Sequence, residues 1–256
     1  MPFEKVQPEK LSTAVVRQIE LLILRGVLRP GERLPSEREL SDKLGVSRPS
    51  LRDAVAELQD RGLLSSRAGA GIFVADVLGS AFSPALIQLF ASQDEAVFDY
   101  LSFRRDMEGL AAERAARHGS DSDLRVIQTI LDKMEVAHTK RNPEEEARLD
   151  AQFHSAIIDA SHNVVMLHMM RSMFDLLREG VFYNRKIMFK QRTSRAALLD
   201  QHRAINDALQ ARDPDRARTA VQDHLDYVET CLIAQIKADR NESIAQQRLR
   251  HELGDD

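Results

Sequence analysis

The 256-residue chain has a single cysteine, Cys231, and no tryptophan. One thiol cannot close an intrachain disulfide, which fits a reducing cytoplasm. Aromatic residues make up 5% of the chain and glycines number 11, so helix is favoured over sheet. No apolar run approaches the ~20 residues of a membrane span. The opening stretch, MPFEKVQPEK, lacks the apolar core of a signal peptide. The expectation is therefore a cytoplasmic protein with no membrane partner. A net charge of −4 also argues against a generic polyanion binder. That charge is uneven, however. Residues 1–77 hold 12 Lys and Arg against 11 Asp and Glu, and a nearly neutral module with clustered arginines can still bind nucleic acid through its local field.

What is present is ordinary soluble composition, 43% apolar and 30% charged, on a chain long enough for two domains. LSTAVVRQIELLILR places Leu11, Val15, Ile19, Leu22 and Ile23 on one helical face. Pro30, Gly31 and Pro35 then break the pattern. A second helix opens with Ser36 and Glu39, the spacing of a capping box, and stops at Gly45. Ser47 can cap a third, in which Pro49 is tolerated in the first turn and Leu51, Ala54, Val55 and Leu58 form the apolar stripe. Next, LLSSR and IFVA alternate as short strands around the glycine-bearing turn AGAG. Three helices followed by a small hairpin read as a winged helix-turn-helix.

Arg48 and Arg52 lie on the face of the third helix turned away from its stripe, at an N-terminus whose dipole is already positive. In a winged helix-turn-helix that end enters the DNA major groove, where free N–H groups suit phosphate and arginine suits guanine.

The stretch LRPGERLPSERELSDKLGVSRPSLRDAVAELQDRGLLSSRAGAGIFV resembles the DNA-binding domain of the GntR family of bacterial transcription factors without a gap. The resemblance implies that Arg38 of LPSER, then Ser47, Arg48, Ser50 and Arg52 at the opening of the recognition helix, and Gly69 at the wing tip contact double-stranded DNA. It also implies a homodimer reading a palindromic operator. Pro49 stands where several relatives carry threonine, and Ala68 where some carry histidine, so base preference is expected to differ.

Residues 77–93 read as a partly helical linker, with a break at Ser83-Pro84. From Asp94 to about residue 236 the pattern is helix after helix with no strand signal, so the second domain is expected to be an all-α bundle. The sixth helix of the chain is expected to be capped by Asp121 or Ser122, and an eighth is expected to run from Asn163 through VFYNR. The charged tail, 237–256, is either a frayed continuation of the last helix or disordered.

Asp150 and His154 are four residues apart and share a helix face, flanked by Ile157 and Ile158. His202 is bracketed by Leu198, Leu199, Ile205 and Leu209, and His224 by Ala220, Val221, Val228 and Cys231. One carboxylate and three imidazoles thus face an apolar interior. An uncompensated carboxylate there costs several kcal/mol. A shared divalent cation resolves this, and so does an Asp150–His ion pair with separate hydrogen bonds for the other histidines. Spacing leaves both open.

This half resembles the FCD domain, the helical effector-binding domain of the FadR subfamily, over roughly residues 94–234. Its metal-binding members carry Asp-x-x-x-His, a His about 48 residues on and another about 22 beyond. Here those intervals are 48, from His154 to His202, and 22, from His202 to His224. The resemblance therefore implies Asp150, His154, His202 and His224 as ligands of a divalent ion, Zn²⁺ first, with Ni²⁺ or Mn²⁺ as alternatives. His118, His138, His162, His168 and His251 are read as ordinary surface or core residues. The subfamily also carries an Arg four before a Glu, matched by Arg104 and Glu108 in FRRDMEGLAAERAA. That arginine would grip an effector carboxylate, or else form a surface pair with Glu108. Within the subfamily, SHNVVMLHMMRSM and the flanking helices look similar to regulators that respond to pyruvate or lactate. Retention of the Asp-x-x-x-His pair leans toward a metal-held hydroxy- or keto-acid such as lactate.

The function expected is a transcription regulator, a repressor in the first instance, controlled by a small organic acid. The rival is a metal-dependent enzyme joined to a DNA-binding module, for which Glu108 is the sole extra acid or base in view. A second rival is a sensor of the metal itself.

Overall fold

In a computed structural model, residues 10–76, 83–91, 93–178 and 192–253 are described, and the chain divides into two compact units, Met1–Ala81 and Phe82–Asp256.

The first unit runs α1 (Leu11–Leu24), α2 (Glu37–Leu44), α3 (Arg48–Asp60), β1 (Leu64–Arg67) and β2 (Gly71–Val74). The capping box forms as the sequence predicts: Glu39 N–H donates to Ser36 Oγ at 3.3 Å, and Ser36 N–H donates to Glu39 Oε2 at 3.0 Å. Gly45 ends α2 with φ +65°, a left-handed conformation that suits glycine. Ser47 caps α3 by accepting from Ser50 N–H, and Pro49 sits within the first turn. The strands pair antiparallel in the register Leu64↔Val74 through Arg67↔Gly71; β1 starts one residue later than LLSSR, and β2 is shifted one residue earlier than IFVA. Leu34 N–H donates to the Ile72 carbonyl at 2.9 Å, which fastens the α1–α2 connection to the wing. Val15, Ile19, Ile23, Leu51, Ala54, Leu58, Leu64 and Val74 form the core. Leu11, predicted to join them, is 58% exposed; it opens the helix and has no second turn beneath it to pack on.

The second unit is all-α among the described residues: α4 (Pro84–Ala91), α5 (Asp94–His118), α6 (Asp121–Lys140), α7 (Pro143–Ala160), α8 (Val164–Arg178), α9 (Arg192–Gln210) and α10 (Pro214–Leu253). Helix α5 packs along α10, α6 against α7, and α9 against both α10 and α6. Ser120, not Asp121 or Ser122, caps α6, in a capping box closed by Asp123; an Asp one residue inside the helix completes the box rather than starting it. Asn142 caps α7, whose first turn carries Glu144, Glu145 and Glu146 at the positive end of the dipole. The VFYNR end of the predicted eighth helix lies outside the described residues, as do positions 77–82 and 92 of the linker. The tail is helical as far as Leu253.

Candidate metal centre and nucleic-acid surface

Helix α7 is buried along most of its length, and it carries Asp150 and His154 one turn apart on its inner face. His202 of α9 and His224 of α10 reach the same point. One donor atom from each of the four residues lies within 4.8 Å of every other. His202 is fully buried, His154 and His224 are 1% exposed and Asp150 is 5% exposed. The ring centroids stand 4.6 Å apart for His202 and His224, 5.1 Å for His154 and His224, and 5.5 Å for His154 and His202.

Each ring has an inner and an outer nitrogen. His202 Nε2 lies 3.2 Å from Asp150 Oδ1 and His154 Nε2 lies 3.7 Å from it, so Nε2 is inner for both. His154 Nδ1 faces outward to Glu108 Oε2 at 2.6 Å, a close approach bent away from hydrogen-bond geometry. His224 Nδ1 pairs with Gln201 Oε1 at 3.0 Å. With Nδ1–H as donor to that amide oxygen, His224 Nε2 is left unprotonated and free to ligate.

Burial is the main force holding His154 and His224 below the ordinary imidazole value; for His224 the neighbouring His202 and His154 add to it, while Glu108 opposes the shift at His154. Neutral imidazole is the form a metal requires. For Glu108, burial alone would raise the carboxyl, yet the Arg104 guanidinium and His154 outweigh it and hold it at about 2. Glu108 is thus an anion. Arg104 Nε donates to its Oε1 at 2.5 Å, with both side chains under 3% exposed. The guanidinium carbon also lies 5.4 Å from the Phe174 ring centre and 5.9 Å from that of Tyr100. The Arg104–Glu108 pair is therefore interior, not the surface pair considered above, because that face of α5 meets His154 of α7 and Phe174 of α8. Arg105 points elsewhere, to Asp226 at 2.6 Å.

The donor set fits a cation. Three imidazoles and one carboxylate are a borderline set suited to Zn²⁺, Ni²⁺ or Mn²⁺. Neither ring nitrogen of His202 has a hydrogen-bond partner among the described residues, although a buried polar atom ordinarily has one. Of the other histidines, His162 pairs with Asp123 at 2.9 Å and His138 approaches Glu146 at 3.8 Å.

In the first unit, Arg38, Ser47, Arg48, Arg52 and Gly69 are exposed and Ser50 is half-buried. Ser47 and Ser50 share a hydroxyl hydrogen bond of 2.9 Å. Gly69 has φ +70° at the hairpin tip. Glu37 was not foreseen as part of this surface, yet it pairs with Arg52 at 2.9 Å and lies 3.7 Å from Arg48. Gln201, next to His202, was likewise missed; only the fold brings it to His224.

Residues 11–74 match the gntR family of bacterial regulatory proteins, and residues 99–227 match the FCD domain. The "Putative L-lactate dehydrogenase operon regulatory protein" of Escherichia coli strain K12 is 36% identical, over 89% of this chain and 88% of its own. The Glc operon transcriptional activator of the same strain is 35% identical, over 88% of this chain and 90% of its own. A solved structure of a Streptococcus agalactiae GntR protein, 24% identical, shares the fold with a TM-score of 0.51 over 85% of this chain and 98% of that one. These relatives are regulators of transcription and not enzymes. The winged helix-turn-helix, the helical domain behind it and these matches make the chain a member of the GntR family, a DNA-binding transcriptional regulator with an FCD domain.

Proposed function

We propose that the chain regulates an operon of small-acid metabolism, and that a divalent cation held by Asp150, His154, His202 and His224 binds the acid that serves as signal. The observation that carries this reading is the convergence of four buried donors from three helices within 4.8 Å. Four protein ligands leave positions of an octahedral ion open, and a carboxylate with its α-oxygen can chelate there. The name of the lactate-operon relative supports a hydroxy-acid such as lactate. Arg104 is an interior guanidinium beside the site, with Glu108 as its present counter-ion, and an effector carboxylate would compete for it.

Arg38, Ser47, Arg48, Ser50, Arg52 and Gly69 form the surface that meets the operator. A homodimer in the cytoplasm would place two such surfaces on a palindrome. The acid acts by binding one arrangement of the dimer better than another; a tenfold change in operator affinity needs about 1.4 kcal/mol of differential binding. A relative named as an activator gives the repressor expectation no support, so the sign is left to measurement.

A thermal-shift screen of small carboxylates, with and without chelator, tests the reading. The expected result is a rise in melting temperature with a hydroxy-acid that chelator abolishes, and a matching change in operator affinity. Operator binding that follows the metal and ignores every acid would make the cation itself the signal.

A further inference from the structure

His154 and His224 each have a polar group at the outer nitrogen, Glu108 at 2.6 Å and Gln201 at 3.0 Å. A metal-ligating histidine nearly always has such a partner, which fixes its tautomer and ring orientation. His202 differs. Its Nε2 faces Asp150, and its Nδ1 is buried with no hydrogen-bond partner among the described residues.

His202 also lines a cavity with about 10 Å³ of space for the centre of a water molecule, shared with Met134, His138, Glu146, Arg195 and Leu199. That is room for about one water. The wall is charged. Arg195 donates from Nε to Glu146 Oε2 at 2.9 Å and from Nη2 to the other carboxylate oxygen, and Nη2 also reaches the His138 carbonyl at 2.9 Å. The pair is buried, with Glu146 at 4% and Arg195 at 8% exposure. His138 Nδ1, also buried and without a hydrogen-bond partner among the described residues, adds a second polar group. A polar chamber of one-water size beside an unpartnered imidazole is where a bridging water has the partners it needs.

We infer that Glu146 is a positioning residue for His202. One water accepts from His202 Nδ1–H and donates to the Glu146 carboxylate, and Arg195 fixes that carboxylate from the far side. Helix α7 thereby sets the angle of a ligand on α9. The inference rests on the cation reading above.

The experiment uses the full-length protein. Zn²⁺ affinity is measured by competition with a chromophoric chelator, and Co²⁺ absorption reports ligand geometry. The variants are Glu146→Gln and the paired change Glu146→Leu with Arg195→Met, which removes both charges and leaves neither uncompensated. The paired change is expected to weaken Zn²⁺ binding about 10- to 100-fold and to shift the Co²⁺ bands. Glu146→Gln, whose amide oxygen still accepts from water, is expected to recover part of that loss. A paired variant that folds, with Zn²⁺ affinity and Co²⁺ bands as in wild type, overturns the inference even if its metal-free melting temperature falls. The cation reading then survives provided Asp150→Asn still abolishes binding. Wild-type protein that takes up neither metal overturns both.

Discussion

Arg52 donates through Nε to Glu37 at 2.9 Å across the helix-turn-helix, with Arg48 3.7 Å from the same carboxylate oxygen. The basic face of the recognition helix thus carries its own counter-ion. The pair is largely solvated, so it is worth little to stability, but it neutralises charge on the surface proposed to meet the operator. Glu37→Gln is expected to strengthen binding to a non-cognate duplex several-fold at low salt and to steepen the dependence of log K on log salt by about one. Fluorescence anisotropy across a salt series measures both. An unchanged slope means that Glu37 does not screen the arginines on DNA.

Arg52→Ala is expected to weaken operator binding about 10- to 100-fold, the worth of one bidentate base contact, with the melting of the helical unit unchanged. Undiminished operator affinity would remove Arg52 from the reading surface.

Gln201 Oε1 is the partner of His224 Nδ1 at 3.0 Å. Gln201→Leu keeps the size, removes the acceptor and leaves the four donors in place. Zn²⁺ affinity is expected to fall about 10-fold or more, whereas His202→Ala should abolish stoichiometric binding. Equal affinity for wild type and Gln201→Leu would show that the His224 tautomer is set elsewhere.

Acid should destabilise the metal-free protein in two stages. His154 and His224 are held below their ordinary value, chiefly by burial. The unfolded chain therefore takes up those protons first as pH falls, and stability present at pH 7.5 is lost from about pH 6.5 downward. Glu108 acts lower. Held at about 2 against about 4.3 when unfolded, it contributes stability above pH ~4.3 that is lost as pH falls toward 2. Urea midpoints of chelator-treated protein in pH steps test this. A flat profile from 7.5 to 5 would mean that the imidazoles are not buried in neutral form.

The first unit was legible nearly residue by residue because its signals are local: Ser36 with Glu39, Gly45, Ser47 and the stripe ending at Leu58 each act within one or two turns. The bundle helices were legible for the same reason. The chemistry of the candidate site was only half legible. Apolar brackets pointed His202 and His224 inward, and a resemblance supplied their grouping. The Glu146–Arg195 pair spans 49 positions and the pairing of Gln201 with His224 spans 23. No periodicity encodes contacts of that reach, since helix packing alone creates them. Glu37 was hidden differently: in sequence it is a first-turn acid suited to the dipole of α2, and its second partner, Arg52, belongs to another helix.

Helix α10 outlasts the bundle that supports it. Val228 is its last buried apolar residue, and every position from Ile236 to Glu252 is exposed. Those final turns are held by backbone hydrogen bonds, by exposed side-chain bonds one turn apart such as Gln246 Nε2–H to Glu242 Oε1 at 3.0 Å, and by the propensity of residues such as Ala, Gln, Lys and Arg; without tertiary packing such a short length of helix is marginal in water. Amide exchange should therefore quicken progressively toward Leu253, unzipping from the end while the turns around His224 stay locked. The helix that supplies one donor to the cluster is anchored at one end and a free-standing rod at the other.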